Sequence, residues 1–170
     1  MVSETEIQRQ LADLEFLKVS LDNAEVKAQL VQPSETYPLP FLVGELPTAY
    51  KGPSTSFQLM YIPAGEVLEE NAMLQIHLYT ENQLGEQSEE AKNLLEQFNM
   101  QTLMGHFGIS EDRQLFYRYV YALPRFTVPN EAAFLEVIGL SFSTFTSFAT
   151  LIVEVAAGNL TAQEAIAALN

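Results

Sequence analysis

Apolar and polar positions change their period several times along this chain, and each change marks an element. Phe134, Ile138, Phe142, Phe145, Phe148, Ile152 and Val155 recur at steps of three and four, which places them on one stripe of a helix. The facing positions are Ser141, Ser143, Thr144, Thr146, Ser147 and Thr150, where a solvated helix would carry charge. Residues 129–158 contain Glu131, Glu136 and Glu154 but no Lys or Arg. This pattern predicts a helix sheltered on most sides, by its own sheet and by a second subunit.

Elsewhere the period falls to two. Leu74, Ile76 and Leu78 alternate with Gln75, His77 and Tyr79 over residues 73–80, the pattern of a strand with one apolar face. Weaker strand signals occupy residues 26–31, Phe41-Leu42-Val43 and SFQLMYIPA from Ser56. Pro33, Pro38, Pro40 and Pro47, a turn-rich segment over 48–55 and a polar turn over 65–71 separate them. Four strands joined by turns imply an antiparallel meander.

Helices frame that meander. Ser3 with Glu6 makes a capping box ahead of Ile7, Leu11, Leu14 and Leu17. Ser88 caps a second helix that turns Ala91, Leu94, Leu95, Phe98 and Leu103 inward and ends at Gly105. HFGI and QLFYRYVYAL then flank Ser110-Glu111-Asp112-Arg113 as a hairpin. Asn130 caps the long helix, Gly158-Asn159 closes it, and Thr161 with Glu164 caps a short last one. The expected fold is α+β: an antiparallel sheet of about five to six strands with an N-terminal helix, a middle helix and a long apolar C-terminal helix. It fills one domain, residues 1–170.

Charge narrows the partners. A net charge of −14 and a pI near 4.3 repel a phosphate backbone and an anionic bilayer, so neither nucleic acid nor membrane is expected. Residues 66–96 hold eight Glu against Lys92. That reads as a solvated face, or more sharply as a lure for basic partners. The polar, acidic start of the chain lacks a basic leader pattern, and a cytoplasmic protein is expected. Residues 137–153 carry no charge, close to the lower length for a membrane span. Six Ser/Thr within that run and Glu136 and Glu154 at its ends argue for a core helix instead.

Chemistry-bearing motifs are absent. The chain has no Cys, no Walker A, no GxGxxG, no HExxH and no EF-hand loop. GLSFS (139–143) lacks the second Gly of a nucleophile elbow and lies within the long helix. His77 and His106 would need to converge with a carboxylate to bind a metal. Glu69-Glu70, Glu89-Glu90 and Glu111-Asp112 fall in turns or at a helix start, where solvation and capping explain them. No catalytic, cofactor-binding or metal-ligating residue is expected, and no cofactor.

Two features point to association. Tyr117, Tyr119 and Tyr121 project from one face of a strand and Phe116, Arg118 and Val120 from the other, so both faces are rich in aromatic or apolar groups. Tyrosine is enriched at interfaces. Arg113, Arg118 and Arg125 form a small basic spot expected to pair with the Glu-rich region.

The segment NLLEQFNMQTLMGHFGISEDRQLFYRYVYALP (93–124) and the apolar helix after Pro129 resemble the type III secretion chaperone-like fold and the YbjN-like sensory transduction regulators. The likeness is one of element order over roughly the C-terminal half. It implies a small acidic cytosolic protein, often dimeric, that binds polypeptides and performs no chemistry. The Pro-rich insertion over 33–53 and the helix over 161–169 depart from that layout. The expected function is a non-enzymatic, chaperone-like protein-interaction module. It would be homodimeric through Phe142, Phe145 and Phe148, or hold a peptide on Tyr117, Tyr119 and Tyr121. The alternative is a small-molecule-binding regulator with an apolar pocket between sheet and long helix.

Overall fold

A computed structural model describes residues 2–47, 49–63, 68–85 and 88–169, with Ser88 described in its backbone alone. In chain order it contains α1 (Glu4–Asn23), β1 (Ala28–Val31), β2 (Phe41–Glu45), β3 (Thr55–Ile62), β4 (Asn71–Thr80), α2 (Ser88–Gln101), β5 (His106–Ile109), β6 (Leu115–Pro124), α3 (Glu131–Ala156) and α4 (Ala162–Ala167). This is the expected α+β order. The side chain expected to cap α2 at Ser88 and the first part of the turn over 65–71 lie outside the described residues, as does Thr48.

All ladders are antiparallel, and the six strands run β1-β2-β3-β4-β6-β5. The four-strand meander therefore continues into β6, not β5. α2 carries the chain from β4 out to the edge strand β5, and the hairpin at Ser110–Arg113 brings β6 back beside β4.

Alternation decides the layers. In β3 and β4 every second side chain is buried. Register aligns these into rows across strands: Leu42, Leu59, Ile76 and Tyr119 in one, Phe57, Leu78, Tyr117 and Phe107 in the next. The helices cover this side. From α3, Phe142 meets Phe57 with ring centroids 5.4 Å apart, and Phe145 stacks on Phe107 at 6.0 Å. α1 lies to one side of α3 and buries Leu14, Leu17 and Leu21; α2 lies to the other and buries Ala91, Leu94, Leu95 and Phe98. Burying a large aliphatic or aromatic side chain contributes about 1.5–3 kcal/mol, so the long helix anchors the fold.

Caps set most helix ends as expected. Ser3 and Asn130 accept the N–H groups of Glu6 and Ala133, and Thr161 with Glu164 forms a complete capping box. The box at Ser3 is only half made, because Arg9 occupies the Glu6 carboxylate. α2 stops at Gln101, short of the expected end. Thr102 turns its hydroxyl back to the Phe98 carbonyl, and Leu103 is 86% exposed instead of inward. Gly105, at φ +73°, passes under the Tyr117 ring; a Cβ there would lie 2.4 Å from that ring.

Candidate interaction surface

The six aromatic residues expected to hold a partner all belong to the helix-covered side of the sheet or to the helix facing it. Tyr117, Phe142 and Phe145 have 1% exposure or less and present no surface to a partner. The Tyr117 hydroxyl donates to the Met104 carbonyl at 2.7 Å, and burial pushes its pKa up to about 12. Phe148 packs at 4.6 Å on Phe98 and at 5.6 Å on Phe107. Tyr119 and Tyr121 are half-buried against the same core.

The shelter expected for α3 comes from within the chain. Tyr50, in the segment between β2 and β3, sets its ring edge on Phe142 at 5.5 Å, and Gly52 lies beside Thr146 and Thr150. Ser141 is fully buried, so it belongs to the core side. Ser143, Ser147 and Thr150 remain exposed. The hydroxyls of Ser141, Thr146 and Thr150 donate to the carbonyls of Val137, Phe142 and Thr146 four residues back. Helix-internal bonding of this kind satisfies Ser and Thr without water or charge. By length and mean hydropathy, 1.5, α3 could cross a membrane; here its phenyl stripe is packed on the sheet.

The other side of the sheet carries none of the described helices. Register places Phe41, Met60, Gln75 and Val120 in one row, and Val43, Gln58, His77, Arg118 and His106 in the next. Tyr79 and Phe116 pair in a third. Glu45 and Arg118 are the two described strand residues on this side with a full charge. Sequence reasoning missed this surface, though its signal was present. Antiparallel pairing of β6 with the alternating strand 73–80 sets its tyrosines opposite Leu74, Ile76 and Leu78, so Phe116, Arg118 and Val120 must face away.

Aromatic groups cluster there. His77 lies 5.6 Å from Tyr79 and 5.5 Å from Phe116, and His106 lies 6.3 Å from Phe116. Phe116 lies across Gly108 on β5, where a Cβ would come within 2.3 Å of its ring. Arg118 donates from Nε to Gln75 Oε1 at 2.6 Å, which ties its guanidinium to a neighbour on the same face. Burial first, then Arg118, lowers the His77 pKa. The two histidines share a row, but Arg118 stands between them. Among the described residues no three His, Asp or Glu side chains gather to hold a metal.

For Arg113 and Arg118 the expected pairing with the Glu-rich stretch is replaced by bonds to glutamine. Arg118 binds Gln75, and Arg113 reaches Gln83 at 3.4 Å. Glu69, Glu70, Glu81, Glu89, Glu90 and Glu96 are all exposed, while Glu66 and Glu86 lie outside the described residues. The densest charge network lies instead between α1 and β3. Arg9 forks onto Glu6, contacts Asp13 and covers the Tyr61 ring at 5.0 Å, and Tyr61 donates to Asp13 at 3.0 Å. Hydrogen bonding from Arg9 holds the Glu6 carboxyl below its ordinary value; burial pushes Asp13 up, against the pull of Arg9 and Tyr61. These groups satisfy one another and pin the helix to the sheet.

Three depressions of about 340–360 Å³ open among the described residues, and one of them is lined mainly by apolar side chains. About 360 Å³ opens between the end of α1, the segment over 47–50 and α3, lined by Leu21, Val26, Tyr50, Leu135, Ile138 and Phe142. At Gly139 an added Cβ would meet only the Tyr50 hydroxyl, 4.0 Å away. No protein-family model matches this chain, and no curated protein does.

Proposed function

We propose that this is a non-enzymatic, chaperone-like interaction module of the cytoplasm, which binds a polypeptide on the open face of its sheet. The observation that carries the reading is the composition of that face. A protein with 30 charged side chains leaves Val43, Met60, Phe116 and Val120 half-exposed on this side, beside Phe41 with the Tyr37 ring against it, and Glu45 and Arg118 are the charges among the described strand residues there. Interfaces are distinguished by loss of charge at their centre and by enrichment in aromatics, Met and Arg, and contiguous uncovered apolar area marks association. The reading extends the resemblance to type III secretion chaperone-like and YbjN-like proteins from an order of elements to a named surface.

The test is affinity purification of polypeptides retained by the chain, compared between Phe116→Glu and Ser147→Glu. The first change is expected to abolish retention. The second, on the exposed side of α3, leaves it intact. Equal retention by both variants would reject the face.

A second reading rests on the 360 Å³ apolar cavity beside Gly139, which lies between α1, the segment over 47–50 and α3 and not, as expected, between sheet and long helix. Its volume falls at the low end for small-molecule sites, and a regulator binding an apolar metabolite there fits it. Thermal-shift screening decides: a ligand at 100 times its Kd adds about 2.7 kcal/mol, and Gly139→Leu should cancel that gain.

A further inference from the structure

We infer that the open face of the sheet is the contact between two copies of this chain, stacked sheet on sheet. The inference rests on reading that face as an interaction surface and names its occupant.

Width argues for a second sheet. The charge-poor area runs from Phe41 on β2 through β3 and β4 to Phe116 and Val120 on β6. A single extended peptide covers about one strand spacing, ~4.8 Å, and would leave most of it wet. At a rise of about 3.3 Å per residue and that spacing, the four strands that carry it project roughly 520 Å² on one side. Side-chain relief raises the accessible area above this projection, toward the ~800 Å² per partner of a standard stable interface.

Shape and charge agree with self-pairing. Two sheets of the same twist pack face to face at about −30° and roughly 10 Å apart, and a two-fold axis makes such a contact self-complementary. Each copy carries a net charge of −14, yet the carboxylates on this side lie at one margin: Glu45 is exposed at the end of β2, and Glu81, just past β4, accepts from Ser56 beside it. Glu6, Asp13, Glu89 and Glu96 belong to α1 and α2, across the sheet. At physiological salt the screening length is about 8 Å, so the helix sides of the two copies repel little.

Strand addition at the β5 edge is one competing mode of pairing, and the structure closes it at Phe107. The Asn99 amide of α2 donates to the Phe107 carbonyl at 3.0 Å and accepts its N–H at 2.7 Å. A partner strand would have to displace that pair.

Analytical ultracentrifugation of the full chain, from micromolar to several hundred micromolar, tests the inference. The expected result is a species of twice 19.0 kDa. Val120→Glu should weaken association at least about a hundredfold, the scale of losing an interface anchor, while Ser147→Glu leaves it unchanged. Circular dichroism melts verify that each variant folds. Should Val120→Glu fail to fold, Gln58→Glu, already polar and on the same face, takes its place. A wild-type monomer at every concentration overturns the inference, as does a dimer insensitive to both face variants. If the monomer still retains a foreign polypeptide that Phe116→Glu releases, self-association falls while the interaction surface stands. If nothing is retained either, both fall.

Discussion

The same strands present two different surfaces, one residue apart. On the helix side, Leu59, Ile76 and Tyr117 are closed under α3. On the other, Met60, His77 and Phe116 are half-buried. Because side chains alternate with period two, a slip of one residue in register would exchange the surfaces completely. The difference teaches where stability and recognition reside. Core packing is assigned to one parity of the strands, and the opposite parity is free to vary without unmaking the fold.

That division is broken most directly by truncating one apolar side chain on each side. Phe142→Ala should cost about 3–5 kcal/mol in urea unfolding, as transfer loss and a cavity add. Val120→Ala on the open face should cost about 1 kcal/mol or less, measured at a concentration where the chain is monomeric. Comparable losses would mean that both faces are core, and the comparison would collapse. Next in size is Gly105→Ala. A left-handed backbone at φ +73° and the Tyr117 ring at 2.4 Å both oppose the methyl, for an expected loss of about 2 kcal/mol or more. Adding Gly105→Ala to Tyr117→Ala separates the two causes, since the ring is gone there and only the left-handed backbone still opposes the methyl.

Asn99→Ala follows, at about 1–3 kcal/mol, because it leaves the Phe107 N–H and carbonyl without their amide partner. The same change opens the β5 edge. Concentration-dependent aggregation should rise in this variant by light scattering, and a stable variant without aggregation would show that the edge needs no guard.

Much of this was legible in the residues, for identifiable reasons. The 73–80 alternation and the three-four spacing of the phenylalanines each report burial on one side, and both elements formed with those sides buried. Tyr117, Tyr119 and Tyr121 misled because both parities of β6 are apolar or aromatic, so its own sequence is silent about which side the helices take. Its partner strand β4 decides that, through a register no single segment contains. Ser141 misled for a related reason. A hydroxyl that can bond to the carbonyl four residues back carries no fixed sign of exposure. The Pro-rich segment over 33–53 looked like an insertion without a task, whereas Tyr50 and Gly52 within it cover α3.

The finest distinction between the faces is how wet the open one is, and His77 measures it. Tyr79 and Phe116 flank its ring, and Arg118 faces it from β6. Its pKa in the folded chain is lowered from 6.5 by burial and by that guanidinium. Between the folded value and 6.5 the unfolded chain binds more protons, so stability rises with pH through this window. It is undiminished above 6.5, and the deficit is complete below the folded value. His77→Gln removes the contribution, so its unfolding free energy should vary less with pH than that of the wild type across this range. Glu6 and Asp13 titrate with opposite signs in the carboxylate range, which keeps them from imitating the effect near neutrality. Parallel pH profiles for the two proteins would mean that His77 is fully hydrated and that the open face is an ordinary solvated surface. A difference between them carries a consequence for pairing. Stacking would bury two such histidines beside two Arg118 side chains, so the dimer should loosen as pH falls through the same window, and His77→Gln should hold it together.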